Sequence, residues 1–395
     1  MGRERPPTPR PLPRTVVVLG FVSLLNDAAS EMITPLLPLF LTATLGAGPA
    51  IVGLVEGLAE ATASVVKLVA GRLADRGVPP KHLVIGGYGL ANVARPLIGL
   101  AASWPAVLAL RFTDRIGKGI RTAPRDALIA GATDAAARGR AFGFHRAMDH
   151  AGAMIGPLIA YALLAAAVPL RSVFLLSVVP GIAVVSLVAL GVKRDAATTP
   201  TQAAAPLSFA LLDARLRALL LAAGVLAFAT VPEVFVVLWA RDAGLPLARV
   251  PLVWAAASLV KMLLAYPAGV ATDRFGRVPL LVTGWSARVA ALAALALVPA
   301  TGAGVWALFL GYSASLVLTE PAERSLIGDA APAARRGTAF GLYHLASGLF
   351  VLPGAVLFGL LWERAGSASA FLAAAVVTAV AASGMAWSAR AGARA

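Results

Sequence analysis

The stretch Gly71-Arg72-Leu73-Ala74-Asp75-Arg76-Gly77 is echoed far downstream as Gly269-Val270-Ala271-Thr272-Asp273-Arg274-Phe275-Gly276-Arg277. The offset of 198 residues that carries Gly71 onto Gly269 also carries Asp75 onto Asp273 and Arg76 onto Arg274. It carries Gly139, Ala141, Phe142 and Gly143 onto Gly337, Ala339, Phe340 and Gly341 as well. The chain is therefore a tandem duplication of about half its length, and whatever one copy folds into, the other must match. Composition decides what that unit is. Hydrophobic residues make up 59% and charged residues only 13%, more apolar surface than a single water-facing domain could hide. The chain reads as an all-α polytopic membrane protein. A spanning helix needs about 20 residues and a connection a few more, so 395 residues hold about twelve spans and leave no room for a sizeable soluble domain.

The apolar runs fall near 15–43, 50–70, 83–101, 105–124, 141–165 and 170–192, then near 216–240, 250–268, 278–299, 303–322, 338–362 and 368–388. This divides the chain into a tail 1–14, a six-helix half 15–192, a linker 193–215, a second six-helix half 216–388 and a tail 389–395. The linker is polar and Ala/Thr/Pro-rich, as a connection between halves should be. Basic residues such as Arg5, Arg14, Arg72, Arg76, Lys81, Arg140, Arg194, Arg274, Arg277 and Arg336 fall on one side of the spans, against Arg171, Arg241, Arg249 and Arg364 on the other. By the positive-inside rule both termini are cytoplasmic, in a bacterial-type inner membrane. The net charge of +15 is then a topology signal, with nucleic-acid binding not expected. The first run is too long for a signal-peptide core, so the tail before it is expected to be retained.

Several chemistries are excluded. The absence of cysteine rules out disulfides and thiol catalysis. No phosphate-cradling Gly-Lys-Ser/Thr loop is present, so direct ATP drive is not expected. No nucleophile stands beside a base, and four histidines are too few for a rich transition-metal site. The expectation is a non-enzyme with no cofactor and no metal.

The duplicated loop resembles the signature loop between helices 2 and 3 of the major facilitator superfamily, and the resemblance covers nearly the whole chain. It implies two pseudo-symmetric six-helix halves and a solute-transporting function, with the loops around Gly71, Asp75, Arg76, Gly269, Asp273 and Arg274 gating the cytoplasmic side. Arg111, with Asp114 three residues on and Gly117 and Gly119 after it, resembles that family's helix-4 motif, which implies a part in proton coupling. Gly152, Gly156 and Pro157 in the fifth span resemble its antiporter motif and join the expected gating positions. Glu31-Met32-Ile33-Thr34-Pro35 looks like the acidic residue and proline of the drug:proton antiporter branch.

Charges inside the apolar runs carry their own argument. A charge in the bilayer centre costs several kcal/mol, so it must face the bundle interior and find a partner or a watery cavity. Asp27 and Glu31 are one helical turn apart, with Ser23 and Thr34 near the same face. Two carboxylates that close resist ionising together, which is how one comes to hold a proton near neutral pH. Glu31 is the expected proton carrier, with Asp27 beside it; a purely structural pairing of both with cations across the bundle is the alternative. In the second span Glu56, Glu60 and Lys67 read equally as an internal ion-pair set or as cavity wall. In the fourth, Arg115, Lys118 and Arg121 continue a basic stripe from Arg111, answered in the fifth by His145, Arg146 and Asp149. This is either a gating network or an anion site, since guanidinium groups suit carboxylate and phosphate. The second half has Phe309 where Arg111 would repeat, and is expected to supply apolar cavity wall with Tyr312, Tyr343 and His344 as polar options.

The expected function is proton-coupled export of a small organic compound by a monomer whose partners are substrate, protons and the lipid bilayer. Uptake or exchange of an anionic metabolite or metal chelate is the alternative within the class. A non-transporting membrane receptor or assembly factor is the alternative outside it.

Overall fold

A computed structural model of the chain describes residues 12–75, 78–133, 138–192, 214–330 and 336–392. The described residues form helices joined by short turns. In the first half, α1 spans Arg14–Glu31, unwinds over 32–36 and resumes through Leu37–Leu39 and a π turn at Phe40–Thr44. Pro35 and Pro38 account for the break, because proline lacks the N–H of the helix ladder and its ring clashes with the preceding turn. Then follow α2 (Pro49–Asp75), α3 (Pro80–Leu97), α4 (Trp104–Gly131), α5 (Arg138–Ala165) and α6 (Leu170–Leu176 and Val178–Gly191). In the second half, α7 is again split, into Ala214–Ala229 and Glu233–Asp242. It is followed by α8 (Val250–Phe275), α9 (Arg277–Leu297) and α10 (Ala303–Ala330). The helix Arg336–Gly392 is two spans, α11 (336–365) and α12 (367–392), divided at Gly366 with φ 83° and ψ 164°. That left-handed φ suits glycine, which has no Cβ to clash.

Among the described residues, nine helical segments are long and apolar enough to cross a membrane. The expected twelve are recovered on physical grounds. The segment Leu342–Ser383 contains both α11 and α12, α1 is interrupted by its prolines, and α4 carries too many charges to pass on hydropathy alone. The outward faces are apolar: Leu190 is 85% exposed and Val380 68%. Such a surface would aggregate in water and is matched by hydrocarbon. The linker residues 193–213, the tail residues 1–11 and 393–395, and Arg76 lie outside the described residues, as do the surroundings of Gly71, Asp75, Gly269 and Asp273.

The core is shared unequally along the bundle. At the end remote from the termini, Leu36, Phe40, Val52 and Phe174 of the first half form one cluster with Phe235, Trp239, Val253, Phe309 and Phe371 of the second. Toward the terminal end, the clusters among the described residues belong to single halves: Val16, Leu19, Tyr88 and Ile129 in the first, and Leu226, Leu281 and Trp285 in the second. Small residues set the interhalf distance. A Cβ at Gly53 of α2 would collide with the Ala355 carbonyl of α11, and one at Gly57 would lie 2.8 Å from the Leu352 Cα. Above them the Glu363 carboxylate of α11 accepts the Ala50 N–H at 2.9 Å, capping the positive end of the α2 dipole from the opposite half.

Gly53→Leu is expected to destabilise this packing by about 1–3 kcal/mol through overpacking. Gly86 of α3 faces open space, so Gly86→Ala should hold stability or raise it by up to about 1 kcal/mol. Thermal unfolding of the purified protein in lipid nanodiscs compares the two, and equal midpoints would contradict the interhalf contact.

Candidate functional site

The charged stripe of α4 is folded into a network with three other helices. Asp114, 1% exposed, sits among three guanidinium groups. Arg95 Nε of α3 donates to its Oδ1 at 2.7 Å, Arg111 Nη1 to its Oδ2 at 3.4 Å, and Arg115 Nε lies 3.5 Å from Oδ2. Arg111 reaches on to Glu56 of α2 at 3.2 Å, and Arg95 Nη1 donates to the Asn26 side chain of α1 at 3.0 Å and to the Asn92 side chain at 3.3 Å. Close helix approach makes this geometry possible: Gly117 packs on Gly87 and Ala91 of α3, and Gly119 on Val66 of α2. Further along the stripe, the Arg121 guanidinium lies over the Tyr88 ring at 4.7 Å while its buried Nη1 has no hydrogen-bond partner among the described residues. Lys118, Glu60 and Lys67 have no ion-pair partner within 4.0 Å among the described residues.

Arg95, Asn26 and Asn92 were not among the candidate residues read from sequence. One signal was available for Arg95: a lone arginine inside the third apolar run costs too much to stand without a carboxylate.

On α1, Asp27 accepts a hydrogen bond from the Asn26 amide at 2.9 Å. Glu31 points across to the second half, where the Trp254 indole N–H of α8 donates to it at 2.9 Å. Neither carboxylate has a cation within ion-pair distance among the described residues. The α5 glycines fit against this segment of α1, Gly152 against Leu24 and Asp27 and Gly156 against Ala28 and Met32, with Pro157 within the helix. Asp149 of α5 takes the Ser23 hydroxyl, with His145 Nδ1 at 3.5 Å and the exposed Arg146 at 3.6 Å.

The charges inside the second-half spans also find partners. Glu233, at the restart of α7, pairs with Lys261 of α8 at 2.7 Å and accepts the Ser313 hydroxyl of α10 at 2.6 Å. Lys261 also lies 5.8 Å from the centre of the Trp254 ring. Arg288 of α9 donates to Thr230 at 3.3 Å and Thr319 at 3.0 Å. Tyr312 is fully buried, its hydroxyl donating to the Val231 carbonyl in the α7 break. Tyr343 donates to Glu323 at 3.0 Å and stacks edge-on against His344. Arg274 lies over the ring of Phe275 at 5.3 Å. Among the described residues no group of three or more His, Cys, Asp or Glu side chains could hold a metal ion.

Two six-helix halves of the same orientation, sharing one apolar cluster at the end remote from the termini and each carrying its own buried ion pairs, form a solute-transport architecture. The sequence profile described as Major Facilitator Superfamily matches residues 19–349 and 234–392. The chain belongs to the major facilitator superfamily. As such it is a secondary transporter embedded in a membrane, acting on a small-molecule substrate, and not an enzyme. It is 28% identical over 363 residues to an uncharacterised transporter of that superfamily from Methanocaldococcus jannaschii, covering 90% of each chain. It is 32% identical over 370 residues to an uncharacterised protein of Mycobacterium tuberculosis, covering 89% of this chain and 87% of that one. Among solved structures, a bacterial homologue of the human lysosomal transporter Spinster, inward-facing and unoccupied, superposes with a TM-score of 0.79 at 16% identity over 95% of this chain and 96% of that one. The nucleoside transporter NupG does so with 0.81 at 13% identity over 94% and 98%. At these identities the likeness is one of fold.

Removing one member of a buried charge network leaves the others uncompensated. Arg95→Met is therefore expected to destabilise this transporter by about 3–5 kcal/mol, whereas Arg146→Met, exposed at the rim, should cost under about 1 kcal/mol. Denaturant unfolding of the purified variants measures both.

Proposed function

We propose that this transporter is a proton-coupled antiporter that exports a small organic compound from a bacterial cytoplasm, acting as a monomer in the inner membrane with both termini inside. The observation that carries this reading is Glu31: a carboxylate inside the bundle, without a cation partner, whose one described hydrogen bond comes from Trp254 in the other half. A charge-assisted hydrogen bond is about twice as strong as a neutral one. Protonation of Glu31 therefore weakens a contact that exists only while the halves are packed as they are here, which links proton binding to conformation. Asp27, one turn away, is a second place for the proton, and Arg111 with Asp114 holds α4 against α2 and α3 while the exchange occurs.

With both termini inside, the packed end faces outward, and the conformation described is closed to the outside. Alternating access then means rocking the halves, residues 15–192 and 216–388, about the linker 193–215. The Gly53/Gly57 contact opens as the loops at Gly71–Arg76 and Gly269–Arg274 close, with the α5 positions Gly152, Gly156 and Pro157 allowing α5 to slide on α1. Each proton entering down a gradient of one pH unit supplies about 1.4 kcal/mol, enough for a tenfold gradient of exported solute.

The test uses proteoliposomes with an acidic lumen and a trapped pH-sensitive dye. Addition of a substrate should release luminal protons, and Glu31→Gln should abolish the release. Asp27→Asn should reduce it. Retention of full release in Glu31→Gln with loss in Asp27→Asn would move the carrier one turn down α1; retention in both would refute the α1 assignment.

A second reading, uptake or exchange of an anionic solute, is favoured by one observation: Arg121 Nη1 is buried and unpartnered and Lys118 has no ion-pair partner within 4.0 Å among the described residues. Lys118→Glu should abolish flux of an organic anion on that reading and leave flux of an organic cation within about twofold on the first.

A further inference from the structure

The second half carries an ion pair that its apolar surroundings do not explain. Glu233 and Lys261 remain 15% and 27% exposed in their side chains, so both reach the space between helices rather than being sealed in the core. The carboxylate is oriented from two sides, by Lys261 at 2.7 Å on one oxygen and by the Ser313 hydroxyl at 2.6 Å on the other. The ammonium group lies 5.8 Å from the Trp254 ring centre, within the range where a cation is attracted to an aromatic face. The indole N–H of that ring is tied to Glu31, which fixes the ring from the opposite half. The result is a carboxylate, oriented by a hydroxyl on its far oxygen, and an aromatic wall beside a positively charged nitrogen, which here belongs to the protein itself.

We infer that Glu233, oriented by Ser313, and Trp254 form a binding site for the cationic nitrogen of an organic ammonium substrate, and that the Lys261 side chain occupies this site when substrate is absent. Every feature that holds the Lys261 ammonium is generic for a cation, and lysine's flexible four-carbon stem lets it withdraw without moving the backbone. Substrate entering the site takes over the Glu233 carboxylate and the Trp254 face, and the displaced Lys261 ammonium is left near Glu31. Lys261 then competes with a proton for Glu31, so cation binding favours release of that proton. This step rests on the antiport reading above, whereas the binding site itself does not.

The experiment separates the two by measuring binding without any gradient. Benzyltrimethylammonium, with phenylacetate as its anionic counterpart, is titrated calorimetrically into the full-length protein in nanodiscs. Lys261→Met should bind the cation at least tenfold more tightly than the unaltered chain, because the competing ammonium is gone. Adding Glu233→Gln to Lys261→Met should abolish the gain, and phenylacetate should gain nothing from Lys261→Met. An unchanged or weaker cation affinity in Lys261→Met, a gain that survives Glu233→Gln, or an equal gain for phenylacetate overturns the site. If Lys261→Met does not yield folded protein, Glu233→Gln alone decides. Cation binding present in the unaltered chain and lost in that variant supports the site, and any other result overturns it. The binding result stands whether or not Glu31→Gln abolishes proton release, so failure of the antiport reading and failure of the site give different data.

Discussion

Ionised groups inside a hydrocarbon layer set the terms for this protein. Each costs several kcal/mol unless another group or water compensates it, and the first half alone buries Arg95, Arg111, Asp114, Arg115 and Arg121. Asp114 meets that demand by standing between three arginines, and the resulting set ties α1, α2, α3 and α4 together by directional contacts. Lipid-facing packing offers little directional preference, since hydrocarbon tails are as apolar as leucine. The polar network therefore fixes which helices of the first half are neighbours, and the apolar faces adapt to it.

The interface between the halves obeys a different rule. It uses small residues and few polar contacts, with Gly53 and Gly57 of α2 against the backbone of α11, the Glu363 cap on α2 and the Trp254–Glu31 hydrogen bond. Close backbone contact of this kind is strong where shapes match and vanishes once the helices part, because dispersion attraction falls away within about an ångström. A rigid, ion-paired half and a dry, switchable interface are what rocking two bodies requires. Among the described residues, the apolar clusters toward the termini each belong to a single half.

The duplication, the twelve spans and the family were legible because they rest on repeated, long-range features: the 198-residue echo, the apolar runs and the Asp-Arg loops. The breaks in α1 and α7 could be anticipated only in part, from Pro35, Pro38 and Pro232, since a proline in a membrane helix kinks or ends it according to its neighbours. The candidate site was legible as a set of residues and not as a set of pairs. Helical spacing placed Arg111, Asp114 and Arg115 on one face, but nothing local says that Asp114 faces Arg95, which lies 19 positions back on another helix. Trp254 was invisible as a site residue because a tryptophan in an apolar run is ordinary core, and its role follows from a contact 223 positions away. Tyr312 was legible as a buried polar residue but not as a partner of the unwound backbone at Val231, 81 positions back.

Phe309 stands where the repeat would place Arg111, and it packs edge-on against Trp254 at 6.4 Å between ring centres. The same structural position thus carries a charge that binds its half together in one copy and an aromatic wall in the other. That wall supports Trp254, whose face meets Lys261 and whose N–H meets Glu31. An arginine at position 309 would set a guanidinium against the Trp254 ring, which already meets the Lys261 ammonium. With phenylalanine at this position, a carboxylate, an ammonium group and an indole share one small space without a further cation against the indole, and the two halves are chemically complementary where the fold alone would make them alike.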